Sequence, residues 1–79
     1  MRVEVTLPDM GEDTVEAVTV AGWLAQDGTD LQDGDDLLEL TTDKAAFVLP
    51  APRAGRLVER RVSTGDTVRV GEVVCIFEV

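Results

Sequence analysis

Seventy-nine residues leave room for one small domain with a thin core, because a chain of this size buries only about 60 to 65% of its extended surface. Apolar residues make up 44% of the chain, and its three aromatics are Trp23, Phe47 and Phe77, which points to a folded core built mainly of Val and Leu. A net charge of −9 repels phosphate backbones and anionic headgroups, so no nucleic acid and no membrane surface is an expected partner.

The hydrophobic pattern is that of strands. Arg2 to Leu7 alternates polar and apolar, with Val3, Val5 and Leu7 on one face, and predicts a half-buried strand that Pro8 ends. Pro8 to Asp13 is polar and rich in turn formers, which predicts a surface loop. Val15 to Ala25 resumes as a strand-rich segment with Val15, Val18, Thr19, Val20 and Trp23, and Asp27-Gly28 carries a hairpin signal. Leu31, the turn formers Asp33-Gly34-Asp35 and then Leu37 to Leu40 read as a short strand, a turn and a longer strand. Beyond Lys44, Ala46 to Leu49 is apolar, Pro50 to Pro52 ends it, and Gly55 to Val58 opens the next element. Thr67-Val68 and Val73 to Val79 complete the set. No apolar face recurs at helical spacing, so residues 1–79 are expected to form a single all-β domain of about eight short strands.

An internal repeat sharpens this expectation. A shift of 37 residues lays Gly28 to Asp35 on Gly65 to Glu72 with a shared pattern of Gly, two residues, an aliphatic, two residues, Gly and an acid. The same shift pairs Val20 with Leu57, Leu37 with Val74 and Leu40 with Phe77. Two similar halves imply a sandwich with quasi-twofold symmetry, its turns repeated at paired glycines. Lys44 falls in the connection between the halves, which places it at one end of the sandwich and both termini at the other.

Lys44 is the only lysine, in a chain that otherwise uses six arginines. A single primary amine on a tight turn between two apolar stretches is an addressable point for covalent attachment. A Schiff-base lysine needs burial or neighbouring cations to lower its pKa; Lys44 instead has Asp43 beside it in an acidic chain. It therefore suits acylation by another enzyme with an activated donor. The sequence has no histidine and no nucleophile with an adjacent base, so no catalytic residues are expected.

Four segments carry a family resemblance: Leu7-Pro8-Asp9-Met10-Gly11-Glu12, Trp23 five residues before Gly28, Glu39-Leu40-Thr41-Thr42-Asp43-Lys44-Ala45, and Ala51-Pro52 leading to Gly55. With these the chain resembles the lipoyl domains of the dihydrolipoamide acyltransferase components of 2-oxo acid dehydrogenase complexes, within the biotinyl and lipoyl attachment family. The resemblance implies a flattened barrel of two four-stranded antiparallel sheets with lipoate in amide linkage to Lys44. It also implies that Asp43 and Ala45 flank the turn read by a lipoate ligase or lipoyl transferase, and that Asp9, Met10, Gly11 and Glu12 help a partner recognise the carrier. That partner would be a thiamine diphosphate-dependent decarboxylase; an acyltransferase catalytic domain and dihydrolipoamide dehydrogenase would follow it. Two departures stand out: Val18 occupies a position where the family usually has glycine, and Thr41 replaces a more common acid.

Other readings compete at each feature. Lys44 could be an ordinary solvated lysine on an unmodified assembly module, or a biotin acceptor. Biotin acceptors typically place methionine on both sides of the lysine, whereas Asp43 and Ala45 stand here. Asp27, Asp30, Asp33, Asp35 and Asp36 fail the calcium-loop spacing, because Thr29 and Leu31 fall on ligand positions when Gly34 is aligned; they read as a solvated face, with no metal expected. Trp23 reads as packing. Cys75 has no partner for a disulfide and reads as structural or as part of a partly exposed strand, with no metal or redox role; its lack of a partner, with the absence of a signal-like start, makes the cytoplasm the expected location.

Overall fold

The computed structural model describes residues 1–9 and 17–79. Its elements are β1 (Arg2–Thr6), β2 (Val18–Trp23), β3 (Asp30–Leu31), β4 (Asp36–Thr41), β5 (Ala46–Pro50), β6 (Gly55–Arg60), β7 (Thr67–Val68) and β8 (Val73–Glu78). They form two four-stranded sheets, ordered β1-β8-β6-β3 and β5-β4-β2-β7, with every pairing antiparallel. This is the all-β sandwich expected from the strand pattern and the repeat, with the two four-stranded antiparallel sheets that the resemblance implies. Val15 lies outside the described residues, and the strand predicted around it begins at Val18.

The core follows from the alternation. Val5, Leu7, Val18, Val20, Leu31, Leu37, Leu38, Leu40, Leu49, Leu57, Val68, Val74, Cys75 and Phe77 fill the space between the sheets. Each pair foreseen from the repeat is buried on both sides: Val20 and Leu57, Leu37 and Val74, Leu40 and Phe77. Burying such side chains, at roughly 1.5–3 kcal/mol each, is the main drive to close the two sheets face to face. Cys75 is fully buried on β8, rather than part of an exposed strand.

The twofold relation is visible bond by bond. Gly28 N–H donates to the Leu57 carbonyl at 2.7 Å, and Gly65 N–H donates to the Val20 carbonyl at 2.8 Å. Gly28 and Gly65 have φ of 86° and 95°, and Gly34 and Gly71 have 91° and 92°, so the turns repeat in a left-handed conformation that glycine adopts without steric cost. The relation extends to strands the 37-residue shift does not reach. Gly34 N–H bonds the Ala51 carbonyl as Gly71 N–H bonds that of Leu7, which makes β5 the counterpart of β1 with an offset of 44. The offset changes because residues 9–17 separate Pro8 from β2 where only 53–54 separate Pro52 from β6.

One expectation needs correction. Asp27-Gly28 is a turn but not a hairpin: β2 pairs with β4 and β7, while β3 pairs with β6 in the other sheet. A turn signal reports that the chain reverses, and burial on both sides of the core decides which sheet receives the next strand.

Candidate carrier site

Among the described residues, β4 and β5 are the only strands consecutive in sequence that pair with each other. Lys44 sits on the turn that joins them. The ladder ends at the Thr41 and Ala46 pair, and Thr42 N–H then donates to the Ala45 carbonyl at 2.8 Å, leaving Asp43 and Lys44 at the tip. Among the described residues no non-glycine residue has positive φ, so this pair turns the chain without a left-handed residue.

The Thr42 side chain does part of the backbone's work. Its Oγ1 accepts from Lys44 N–H at 3.2 Å and from Ala45 N–H at 3.1 Å, and its hydroxyl donates to the Ala45 carbonyl at 3.3 Å. Asp43, Lys44 and Ala45 are all exposed. Among the described residues, Lys44 and Asp43 take part in no ion pair, so the carboxylate next in sequence is not the ammonium's partner. The backbone at the tip is pinned while the amine extends into solvent.

The other half shows what this corner would be without a turn. There, Val79 N–H donates to the Met1 carbonyl at 2.8 Å and the Met1 ammonium donates to the Val79 carbonyl at 2.9 Å. Val79 and Met1 are the counterparts of Thr42 and Ala45, so the lysine turn occupies the position where the chain ends meet in the symmetric half. The hairpin and the termini thus lie on different sheets at symmetry-related corners.

The outer faces beside these corners differ in charge. On the sheet of the termini, Arg2, Glu78, Arg56 and Asp30 lie opposite one another across all four strands, with Arg56 Nε 3.0 Å from Asp30 Oδ1 and Arg2 Nε 3.7 Å from Glu78 Oε2. The equivalent row below the lysine turn is Ala46, Thr41, Thr19 and Thr67, without a charge. Thr41, where the family more often has an acid, belongs to that row.

Remaining sequence candidates fall elsewhere. Asp9 is exposed after Pro8, and Met10, Gly11 and Glu12 lie outside the described residues. Trp23 packs against the core as anticipated, its indole N–H donating to the Val62 carbonyl at 2.9 Å and its ring 5.9 Å from the Arg60 guanidinium. The aspartates divide among separate tasks: Asp27 pairs with Arg60, Asp30 with Arg56, and Asp35 accepts from Gln32 N–H. Thr42 is the residue the sequence reading passed over. Its signal was available, since a threonine opening a tight turn commonly caps the amides two and three residues on.

A family model described as "Biotin-requiring enzyme", covering biotinyl and lipoyl attachment domains, matches residues 3–77. The chain belongs to the biotinyl/lipoyl attachment family. Among curated relatives, it is 42% identical over 71 residues to the dihydrolipoyllysine-residue succinyltransferase component of the Bacillus subtilis 2-oxoglutarate dehydrogenase complex, covering 90% of this chain and 17% of that protein. It is 37% identical over 77 residues to the dihydrolipoyllysine-residue acetyltransferase component of the Corynebacterium glutamicum pyruvate dehydrogenase complex, covering 98% of this chain and 11% of that protein. The chain therefore spans less than a fifth of these relatives.

Among solved structures, the lipoyl domain of the 2-oxoglutarate dehydrogenase complex from Azotobacter vinelandii superposes with a TM-score of 0.73 at 25% identity, covering 98% of this chain and 96% of that one. The Kluyveromyces lactis urea carboxylase shares the fold, with a TM-score of 0.80 at 17% identity over 99% of this chain and 6% of that one. Both therefore share this sandwich fold with the chain.

Proposed function

We propose that residues 1–79 are one lipoyl carrier domain in which Lys44 accepts lipoate in amide linkage, as part of or partner to a 2-oxo acid dehydrogenase acyltransferase. The observation that carries this reading is the turn itself: one exposed amine on a hydrogen-bonded tip, unengaged by ion pairs among the described residues. Lipoate is favoured over biotin by Asp43 and Ala45 at the flanks and by curated relatives named for a dihydrolipoyllysine residue. When bound, the lipoyl group supplies a dithiolane that takes up an acyl group together with two reducing equivalents.

The chain's own residues contribute position and reach. Thr42 and Ala45 hold the root of the arm while the four-carbon stem of Lys44 leaves its far end mobile. Tethering raises the effective concentration of the carried group at each partner's active site, and a flexible arm lets one carrier visit several. The uncharged row of Ala46, Thr41, Thr19 and Thr67 allows a partner to approach without desolvating an ion. The sequence has no histidine, and bond-making is assigned to the partners: the decarboxylase, the acyltransferase domain and dihydrolipoamide dehydrogenase, with a lipoate ligase or lipoyl transferase for loading. Asp43 and Ala45 are assigned to recognition by the loading enzyme, and Asp9, Met10, Gly11 and Glu12 to recognition by the decarboxylase. Its buried, unpaired cysteine fits a reducing compartment such as the cytoplasm.

The test is reductive acylation. The lipoylated chain is mixed with thiamine diphosphate-dependent decarboxylases for pyruvate, 2-oxoglutarate and branched-chain 2-oxo acids, each with its labelled substrate. Label on the chain with at least one enzyme, and none on Lys44→Arg put through the same loading step, is the expected result. A lipoylated chain that none of the three acylates overturns the carrier reading.

A further inference from the structure

We propose that the Thr42 hydroxyl is the positioning residue that presents Lys44 for acylation, an inference that rests on the carrier reading above and assigns a role beyond Asp43 and Ala45. The reaction served is simple to balance. The Lys44 ammonium gives one proton to solvent, its Nζ attacks the carbonyl carbon of an activated lipoyl donor, the amide N–C bond forms, the bond from that carbon to its leaving group breaks, and the second proton leaves the nitrogen for solvent. The loading enzyme must find the amine at one place relative to the hairpin. Lys44 is exposed and meets no ion pair among the described residues, so only its backbone can define that place.

The backbone's ladder stops one step short of doing so. Thr42 N–H to the Ala45 carbonyl is the last main-chain bond of the hairpin, and among the described residues it leaves the amides of Lys44 and Ala45 without a main-chain partner. Thr42 Oγ1 takes both, at 3.2 and 3.1 Å, while its proton lies toward the Ala45 carbonyl at 3.3 Å. One hydroxyl therefore makes three contacts across the tip and replaces the glycine chemistry that two-residue hairpins otherwise use.

Valine at position 42 keeps the branch and the strand preference and removes the hydroxyl; serine keeps the hydroxyl. Losing an acceptor shared by two amides lowers the fraction of chains whose tip is correctly held, and the apparent affinity of the loading enzyme falls by that fraction. The expected result for Thr42→Val is a rise of about tenfold in KM for the chain with kcat changed less than about twofold, for two hydrogen bonds of ordinary worth. Thr42→Ser is expected within about twofold of wild type in both constants, by the same measure.

The experiment follows lipoylation of unmodified wild type, Thr42→Val and Thr42→Ser by intact mass, with lipoate ligase, lipoate and ATP, over a range of chain concentrations. Amide hydrogen exchange of the unmodified proteins is measured in parallel. It checks that each variant is folded and predicts faster exchange in Thr42→Val confined to Lys44 and Ala45. Equal KM for wild type and Thr42→Val overturns the inference while leaving the carrier reading intact. So does a wild type in which the Lys44 and Ala45 amides exchange as in an unfolded peptide. Should Thr42→Val lose protection throughout, the same wild-type exchange pattern and the Thr42→Ser kinetics decide the matter: Thr42→Ser loading tenfold less efficiently overturns the inference. Failure of wild type itself to be lipoylated is the separate outcome that removes the carrier reading.

Discussion

Gly55 is the tightest test of the packing. It is the symmetry counterpart of Val18, yet a Cβ at Gly55 would lie 3.0 Å from Val79 Cγ1, 3.1 Å from Phe77 Cδ2 and 3.2 Å from the Glu78 carbonyl oxygen. The Val79 side chain is exposed and can turn aside, but Phe77 is fully buried and Glu78 is held in the ladder between β1 and β6. Overpacking of this kind costs about 1–3 kcal/mol. Against it, alanine at a position without positive φ restricts the unfolded chain and recovers about 0.4–1 kcal/mol. The midpoints leave Gly55→Ala less stable by ~1.3 kcal/mol. At 4–8 °C per kcal/mol for a domain of this size, Tm falls by roughly 5–10 °C. Thermal unfolding followed by far-ultraviolet circular dichroism measures it. Adding Val79→Ala to Gly55→Ala is expected to restore little, because the Phe77 and Glu78 contacts remain. A Tm equal to or above that of wild type would refute the reasoning.

Two further perturbations probe the core and its rim. Burial pushes the Cys75 thiol from 9.0 up to about 12. Because the folded state keeps this proton where the unfolded state loses it, the contribution is intact below about pH 9 and is lost as pH rises toward about 12. Urea unfolding across that window is expected to show a steeper loss of stability in wild type than in Cys75→Val; equal slopes would contradict it. Trp23→Phe removes the indole N–H from the Val62 carbonyl and is expected to cost about 0.5–1.5 kcal/mol in the same unfolding assay, with no loss counting against that bond.

The sequence made the second, third and fourth strands of each half legible, because their turns repeat at one spacing and each turn requires glycine at the same place. β1 and β5 obey the same symmetry, but the longer connection at residues 9–17 changes their offset from 37 to 44 and hides them from a single shift. Asp27-Gly28 misled for a different reason. Local turn chemistry marks a reversal, whereas the destination of β3 depends on Leu31 facing Gly55 across the other sheet. At the site, Lys44 stood out by type and context, and its neighbours Asp43 and Ala45 drew attention away from Thr42. What Thr42 does depends on the backbone directions at the tip, which composition does not express. The departure at Val18 is absorbed by packing: its side chain is 1% exposed, opposite Val68, where Gly55 faces Leu31 in the other half.

The most direct measurement of the central claim is the mass of the intact chain after incubation with lipoate ligase, lipoate and ATP, beside a parallel incubation with biotin ligase, biotin and ATP, followed by fragment mapping. The account predicts one lipoyl-sized addition on Lys44, its absence in Lys44→Arg, and no biotin adduct. An addition only from biotin ligase would make the chain a biotin carrier, and no addition from either would make it an unmodified assembly module; each contradicts the account.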